Sequence, residues 1–84
     1  MLGNGQSQVH ITCRVQTFIY VHWYVQKKNG QLEGILYMDR NNQRVFYHPG
    51  ANQNKFLAAW KSDDFTLTIK KVTDEDTGTY YCAH

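Results

Sequence analysis

The stretch Asp76-Thr77-Gly78-Thr79-Tyr80-Tyr81-Cys82 carries the strongest fold signal in the sequence. Successive side chains of an extended strand point to opposite faces, so Tyr80 and Cys82 share one face and Tyr81 lies on the other. The polar residues 73–78 in front of this strand are typical of a connector. We therefore expect the last strand of this chain to be short and to turn Cys82 towards the interior of the protein.

The same two-residue period recurs along the chain. In residues 9–15, 23–26 and 65–69, inward apolar side chains alternate with side chains of the opposite face. No segment keeps the apolar spacing of an amphipathic helix over three turns. The sequence therefore predicts an all-β sandwich or barrel, with strands at 9–15, 20–27, 33–38, 44–47, 55–59, 65–71 and 79–83.

Turn residues separate these predicted strands. Asn29-Gly30 supplies the positive φ values that a tight hairpin requires. Asn41-Asn42 is expected to turn the next hairpin, and Pro49-Gly50 begins a polar stretch. Trp60 is placed in the loop before Asp63, with packing beside Phe56 as the alternative.

Length and composition exclude several classes of protein. The chain has 84 residues, 42% of them hydrophobic and 14% aromatic, which fits one domain spanning 1–84 and excludes a disordered tail. Nine Lys and Arg against seven Asp and Glu give a net charge of +2. This charge is too small for a protein that binds nucleic acid mainly through electrostatic attraction. No apolar run is longer than residues 56–60, so a membrane anchor is expected only outside this chain.

The two cysteines, Cys13 and Cys82, are predicted to form a disulfide. Each lies on the inward face of a predicted strand, so they meet if those strands face each other across a core. Such a bond stabilises a small domain and persists in oxidising compartments, which predicts an extracellular location. Two buried free thiols are the alternative. A zinc site with His10 and His84 is disfavoured, because His10 and Cys13 point to opposite faces.

The combined motifs resemble an immunoglobulin variable-type (V-set) domain over nearly the whole chain. They are Cys13, Trp23-Tyr24-Val25-Gln26, Lys55-Phe56, Asp63–Ile69 and Asp76–Ala83. The resemblance implies a Greek-key β-sandwich with Trp23 packed over the disulfide, a Lys55–Asp76 ion pair, Gly78 in the connector and Tyr80 as a buried corner tyrosine. The Tyr80 hydroxyl is expected to bond backbone in the Thr73–Asp76 connector.

Among V-set families, the chain is most similar to T-cell receptor γ chains. The segments that carry this likeness are Val21-His22-Trp23-Tyr24, Ile35–Asp39 and Tyr81-Cys82-Ala83. An antigen-recognition variable region is therefore implied. Antibody light chains share Phe65–Ile69 and Tyr80–Cys82, so an antibody or novel immune-type receptor segment stays an alternative. A V-set adhesion or co-receptor module is a third.

The chain departs from the V-set pattern at both ends and at one ion pair. Only twelve residues precede Cys13 and two follow Cys82, so we expect most of the first strand and the final strand to be missing. The Thr79–Ala83 strand would then be an open edge. Lys55 stands where the family usually has arginine. It supplies the positive charge but not the planar guanidinium group that can donate two hydrogen bonds to one carboxylate.

The resemblance also assigns binding residues. The chain is expected to pair with a second variable domain, that of a δ-type chain. The residues of this pairing face are expected to be Tyr24, Gln26, Leu32, Tyr37 and Tyr81. Contact with antigen is expected from loop residues Phe18, Tyr20, Asp39, Arg40, Asn41, Asn42 and Arg44. Half-buried sheet tyrosines and solvated turns are the alternatives for these two groups.

Catalysis, cofactors and metals are not expected. Ser7 and Ser62 lie in no nucleophile motif, and Asp74, Glu75 and Asp76 crowd one turn rather than opposing one another. The resemblance places the chain on the extracellular side of the plasma membrane, as part of a larger receptor.

Overall fold

Two antiparallel sheets form the fold in the computed structural model, which describes residues 7–15, 19–39 and 41–84. One sheet has the strand order β1-β6-β5 and the other has the order β4-β3-β2-β7. The strands are β1 (Gln8–Arg14), β2 (Tyr20–Gln26), β3 (Leu32–Asp39), β4 (Arg44–Tyr47), β5 (Phe56–Lys61), β6 (Asp64–Lys70) and β7 (Thr79–Ala83). All seven predicted strands are present, with ends shifted by at most two residues, so the predicted sandwich is confirmed.

The core forms where the alternating faces of β2 and β6 meet. Val21, Trp23 and Val25 are buried on β2, and every second residue of β6 from Phe65 to Ile69 is buried opposite them. The Trp23 and Phe65 rings lie 6.0 Å apart between the two sheets. Burying a side chain of this size contributes about 1.5–3 kcal/mol, so these residues supply much of the force that holds the sheets together.

The disulfide crosses between the sheets beside this ring contact. Cys13 and Cys82 are bonded, with their Cα atoms 6.3 Å apart. Cys13 is the register partner of Phe65, and Cys82 is the register partner of Trp23, which is 1% exposed. The predicted disulfide is confirmed, and the free-thiol and zinc alternatives for these cysteines are wrong.

The Asn29-Gly30 hairpin differs from the predicted tight turn. Only Gly30 has a positive φ, of 86°, and Asn29 does not. The Gly30 N–H donates to Lys27 O and the Lys27 N–H donates to Gln31 O, both at 2.9 Å. This pattern fits a three-residue loop, in which a turn is followed by one left-handed glycine. The sequence therefore located the hairpin correctly but not its loop length.

Trp60 lies in β5, so its predicted placement in a loop is wrong. Strand β5 continues to Lys61, and the chain then turns at Ser62, whose φ is 60°. Because β5 runs this far, the two-residue period places Trp60 on the same face as Phe56. The Trp60 ring stacks on Phe65 with centroids 4.7 Å apart.

Strand β7 is an edge of the four-stranded sheet within the described part of the chain. It pairs with β2 from Thr79 to Ala83, and no described strand lies on its other side. The prediction about the first strand falls largely on residues 1–6, which lie outside the described residues. None of the helical structure in residues 7–15, 19–39 and 41–84 is long and apolar enough to span a membrane.

Candidate binding surfaces

The outer face of the β4-β3-β2-β7 sheet is rich in aromatic side chains. On β2, the residues between the buried Val21, Trp23 and Val25 point outwards because of the strand period. The register pairs place outward residues of β3, β4 and β7 beside them. We call this surface the aromatic face; its members are Tyr20, His22, Tyr24, Gln26, Leu32, Tyr37, Phe46, His48 and Tyr81.

A β-bulge determines which residues of β3 reach the aromatic face. The register shifts by one residue between Trp23 and Tyr24, because Trp23 pairs with Leu36 whereas Tyr24 pairs with Gly34. Ile35 and Leu36 are therefore both buried, at 2% and 0% exposure. Without the bulge, residues five apart would face opposite sides. The bulge is the reason that Leu32 and Tyr37 share one face.

The end of the aromatic face near the Gly30 hairpin holds four of the five predicted interface residues. Tyr24, Gln26, Leu32 and Tyr81 line one shallow cleft of about 280 Å³. The Tyr81 hydroxyl donates to Gln26 Oε1 at 3.2 Å, and Leu32 is 58% exposed. The cleft therefore combines an uncovered leucine with two rings and a side-chain amide.

The fifth residue, Tyr37, lies on the same face in a second cleft. This cleft has a volume of about 420 Å³ and is lined by Tyr20, His22, Tyr37 and Phe46. The Tyr37 ring stacks on Phe46 at 5.0 Å and on His22 at 4.9 Å. His22 also stacks on Tyr24, with centroids 5.9 Å apart, so one run of rings joins the two clefts.

His48 was not predicted from the sequence as a member of this face. It follows β4, and its N–H donates to Ile35 O at 2.9 Å. Its ring covers Gly34 so closely that a Cβ at that position would lie 2.8 Å from three ring atoms. The ring also contacts Tyr37 at 5.7 Å and Tyr24 at 6.2 Å. Only the pairing of β3 with β4 brings His48 here, and residue spacing does not reveal it.

Within the aromatic face, His22 has a pKa that is shifted from its ordinary value. Burial lowers the pKa of the imidazole below 6.5, and the nearby His48 lowers it further. Buried nitrogens His22 Nδ1 and His48 Nε2 have no hydrogen-bond partner among the residues that the structure describes. The alternation with Trp23 already placed His22 on the outer face, so its membership could have been predicted.

The predicted ion pair lies at the end of the sandwich opposite the loop residues that the sequence predicts to contact antigen. Lys55 Nζ is 2.8 Å from Asp76 Oδ2, with side-chain exposures of 19% and 9%. Lys55 Nζ also donates to Lys71 O at 3.0 Å, and Asp76 Oδ2 accepts the Thr73 N–H at 2.8 Å. Asp76 thus caps the short 3₁₀ helix Asp74–Asp76 as well as binding Lys55.

Gly78 and Tyr80 hold the connector against β2. A Cβ on Gly78 would lie 2.7 Å from Gln26 O and 2.8 Å from Val25 Cγ2, so glycine permits this close approach. The Tyr80 hydroxyl donates to Asp76 O at 2.7 Å, within the connector segment that the sequence predicts. Burial, together with the nearby Asp76, raises the pKa of Tyr80 above 10.0.

We expect Tyr80→Phe to lower the free energy of unfolding by about 1 kcal/mol. The variant keeps the ring but leaves Asp76 O without its donor. Tyr81→Phe is the matched control, because its hydroxyl bond to Gln26 is exposed, and it should change stability little. Urea denaturation of the two variants measures the difference, and equal losses would contradict the corner role of Tyr80.

The predicted antigen-loop residues are partly engaged in local structure. Asp39 Oδ1 accepts the Asn41 N–H at 2.9 Å, and Asp39 Oδ2 accepts from Asn42 Nδ2 at 3.2 Å. The Arg44 guanidinium lies 5.2 Å from the Phe46 ring centroid, which is a cation–π distance. Tyr20 is 46% exposed at the start of β2. Phe18 and Arg40 lie outside the described residues.

No metal-binding cluster of three or more His, Cys, Asp or Glu side chains occurs within residues 7–15, 19–39 and 41–84. The cavity at the Lys55 end of the sandwich has a volume of about 680 Å³ and is lined by both charged and apolar residues. Two of its charged groups, Lys55 and Asp76, bind each other. The aromatic face is therefore a stronger candidate for a binding surface than this cavity.

The two sheets, the buried Trp23 and the inter-sheet disulfide define an immunoglobulin variable-type domain. The Immunoglobulin V-set domain family matches residues 1–84, and the chain belongs to this family.

Relatives within the family include T-cell receptor γ segments. The chain is 42% identical over 84 residues to the mouse "T-cell receptor gamma chain V region V108A", covering 92% of this chain and 60% of that protein. It is 33% identical over 84 residues to the human "Probable non-functional T cell receptor gamma variable 10", covering 93% of this chain and 71% of that protein. The predicted likeness to γ chains is confirmed.

The fold also matches solved structures. A "Marsupial T cell receptor" superposes with a TM-score of 0.86 and 30% sequence identity, over 93% of this chain. A second structure of the same description gives a TM-score of 0.85 and 25% identity. This chain spans only 38% and 37% of the lengths of those two solved chains.

Proposed function

We propose that this chain is the antigen-recognition variable region of a γ-like T-cell receptor, and that its aromatic face pairs with a second variable domain. The observation that carries the pairing is the uncovered apolar surface of that face, where Leu32 is 58% exposed and Tyr81 is 45% exposed. Exposed apolar side chains grouped on one sheet mark an interaction surface. The relatives among γ-chain variable segments support the receptor assignment.

The chemistry of the aromatic face suits a protein partner. Tyrosine rings dominate it, and tyrosine is enriched in the cores of protein interfaces. Its nine members include no Asp, Glu, Lys or Arg. A partner domain can therefore cover the face without burying an unpaired permanent charge. A δ-type variable domain is the partner that the γ-like sequence favours.

Recognition of antigen is assigned to the loop end of the same sheet. Tyr20, Asn41 and Asn42 are exposed there, and side chains of these types bind adaptably by stacking and hydrogen bonds. The chain then acts as a binding module without catalysis. It lies on the extracellular side of the plasma membrane within a larger receptor, as the inter-sheet disulfide favours.

Self-association of the chain tests the pairing face. We expect wild type to associate as its concentration rises, because two copies can bury their aromatic faces against each other. Leu32→Glu places a charge in the cleft of Tyr24 and Tyr81 and should weaken the association at least about tenfold. Tyr24→Glu should act in the same direction. Sedimentation velocity over a concentration series measures both.

A matched control is available on the other sheet. Leu57 on β5 is 46% exposed, so Leu57→Glu adds the same charge to a similar leucine far from the aromatic face. This variant should associate like wild type. A wild type that stays monomeric at high concentration, or a Leu57→Glu variant that loses as much association as Leu32→Glu, would contradict the proposal. Mixing with a δ-type variable domain then tests the partner.

A further inference from the structure

Two imidazoles lie within the aromatic face, and neither is used by the disulfide, the core or the ion pair. His22 is stacked between Tyr24 and Tyr37. His48 lies across Gly34 and contacts the same two tyrosine rings. The two histidines are close enough to interact electrostatically. Histidine is the side chain that changes charge between about pH 5 and pH 8.

The surroundings offer little to stabilise a positive charge on this pair. Its ring neighbours are Tyr24 and Tyr37, which carry no negative charge in the acidic to neutral range. The neighbouring strands carry the following titratable or charged residues: Tyr20 and Tyr24 on β2, Glu33, Tyr37 and Asp39 on β3, Arg44 and Tyr47 on β4, and Tyr80 and Tyr81 on β7, with His84 after β7. The cavity next to His48 is lined by the charged residues Lys27, Glu33, Lys55, Glu75 and Asp76, together with Tyr80.

Two of the four carboxylates in this set are engaged elsewhere, whereas Glu33 and Glu75 line the cavity that His48 also lines. Asp39 accepts bonds from Asn41 and Asn42, and Asp76 binds Lys55. Glu33 is the register partner of Val25, so it leaves the sheet on the side opposite Tyr24. Arg44, over Phe46, adds a further positive charge at the loop end of the face.

A partner domain on the aromatic face removes water from both imidazoles. Removing water disfavours the charged form of a histidine unless a new acceptor replaces it. Burial already lowers the pKa of His22 in the single chain, and His48 lowers it further, so deeper burial acts in the same direction. His22 is therefore uncharged at neutral pH and gains its positive charge only in acid.

We propose that association through the aromatic face is proton-sensitive, and that the His22–His48 pair is the sensing element. This inference rests on the proposed pairing function and adds its regulation. The separated chain binds more protons in acid than the associated chain, so association strengthens as the pH rises and weakens as the pH falls. The geometry thus couples receptor assembly to the acidity of the compartment.

Sedimentation velocity of wild type at about pH 7.5 and about pH 5.5 tests the inference. Each excluded proton changes the association constant by up to about tenfold per pH unit, and only near or below the lowered pKa of His22. Because both copies in the associated state exclude protons, we expect self-association to be about tenfold weaker at the lower pH. The double variant His22→Gln/His48→Gln should associate equally at both. His10→Gln is the control, because His10 lies on the other sheet and bonds Thr68.

A measurement on wild type alone guards against a variant that fails to fold. The histidine ring signals in NMR spectra give the titration midpoint of His22 in dilute and in concentrated samples. We expect a lower midpoint in the associated sample. Circular dichroism at both pH values checks the fold.

The stability of the single chain also depends on pH. Because the pKa of His22 is lower in the folded chain than in the unfolded chain, the unfolded chain binds more protons below about pH 6.5, so the free energy of unfolding decreases as the pH falls below that value.

The possible failures are distinguishable. Association that is equally strong at both pH values, with an unchanged His22 midpoint, overturns the proton-sensing inference and leaves the pairing function intact. A wild type that stays monomeric at both pH values overturns the pairing function and this inference with it. If the proton sensitivity persists in the double variant and is lost in His10→Gln, then His10 on the other sheet is the sensing residue, and the inference is overturned.

Discussion

Cys13→Ala is expected to lower the free energy of unfolding by about 2–5 kcal/mol. The bond between Cys13 and Cys82 closes a loop with a sequence separation of 69 residues, so its loss frees a large part of the unfolded chain. Chain entropy alone gives about 4 kcal/mol for a loop of this size. A small domain has about 5–15 kcal/mol of net stability, so the variant will unfold far more readily.

The position of the disulfide adds to this effect. Both cysteines pack against the core, beside Trp23 and Phe65, which meet between the sheets. Urea denaturation of oxidised wild type and of Cys13→Ala measures the loss. The double variant Cys13→Ala/Cys82→Ala is the control for the free thiol that the single variant leaves. Denaturation midpoints equal to that of wild type would contradict the prediction.

The fold could be predicted from the sequence because each strand repeats one simple pattern. In β2 and β6 the apolar residues alternate without interruption, so the period of two identified the buried faces. The cysteines and Trp23 then fixed which faces meet. Trp60 was misplaced because the strand signal weakens after Ala59, although the strand continues to Lys61.

The aromatic face was only partly predictable, because it depends on pairing between strands. Alternation within β2 placed Tyr24 and Gln26, and Tyr81 followed from β7. Strict alternation along β3 would separate Leu32 from Tyr37, and only the bulge opposite Trp23 brings them together. The likeness to V-set domains supplied that pair. His48 reaches the face through the space above Gly34, and no local pattern marks such a contact.

Asp76→Ala is expected to destabilise the domain by about 3 kcal/mol or more. The carboxylate accepts from Lys55 and from the Thr73 N–H while its side chain is only 9% exposed. Removing it leaves the Lys55 ammonium largely buried with Lys71 O as its remaining acceptor among the described residues. Removal of one partner of a buried ion pair costs about 3–5 kcal/mol, because the other charge loses its compensation.

A double-mutant cycle separates the ion pair from the capping role of Asp76. Lys55→Met removes the charge, whereas Lys55→Arg keeps it and should retain most of the stability. If the pair is coupled as its 2.8 Å contact indicates, Asp76→Ala should cost less in the Lys55→Met background than in wild type. Urea denaturation of wild type, Asp76→Ala, Lys55→Met and the Lys55→Met/Asp76→Ala double variant gives the coupling energy. Strictly additive losses would contradict coupling between Lys55 and Asp76 and would assign the whole effect of Asp76 to its cap on the Thr73 N–H.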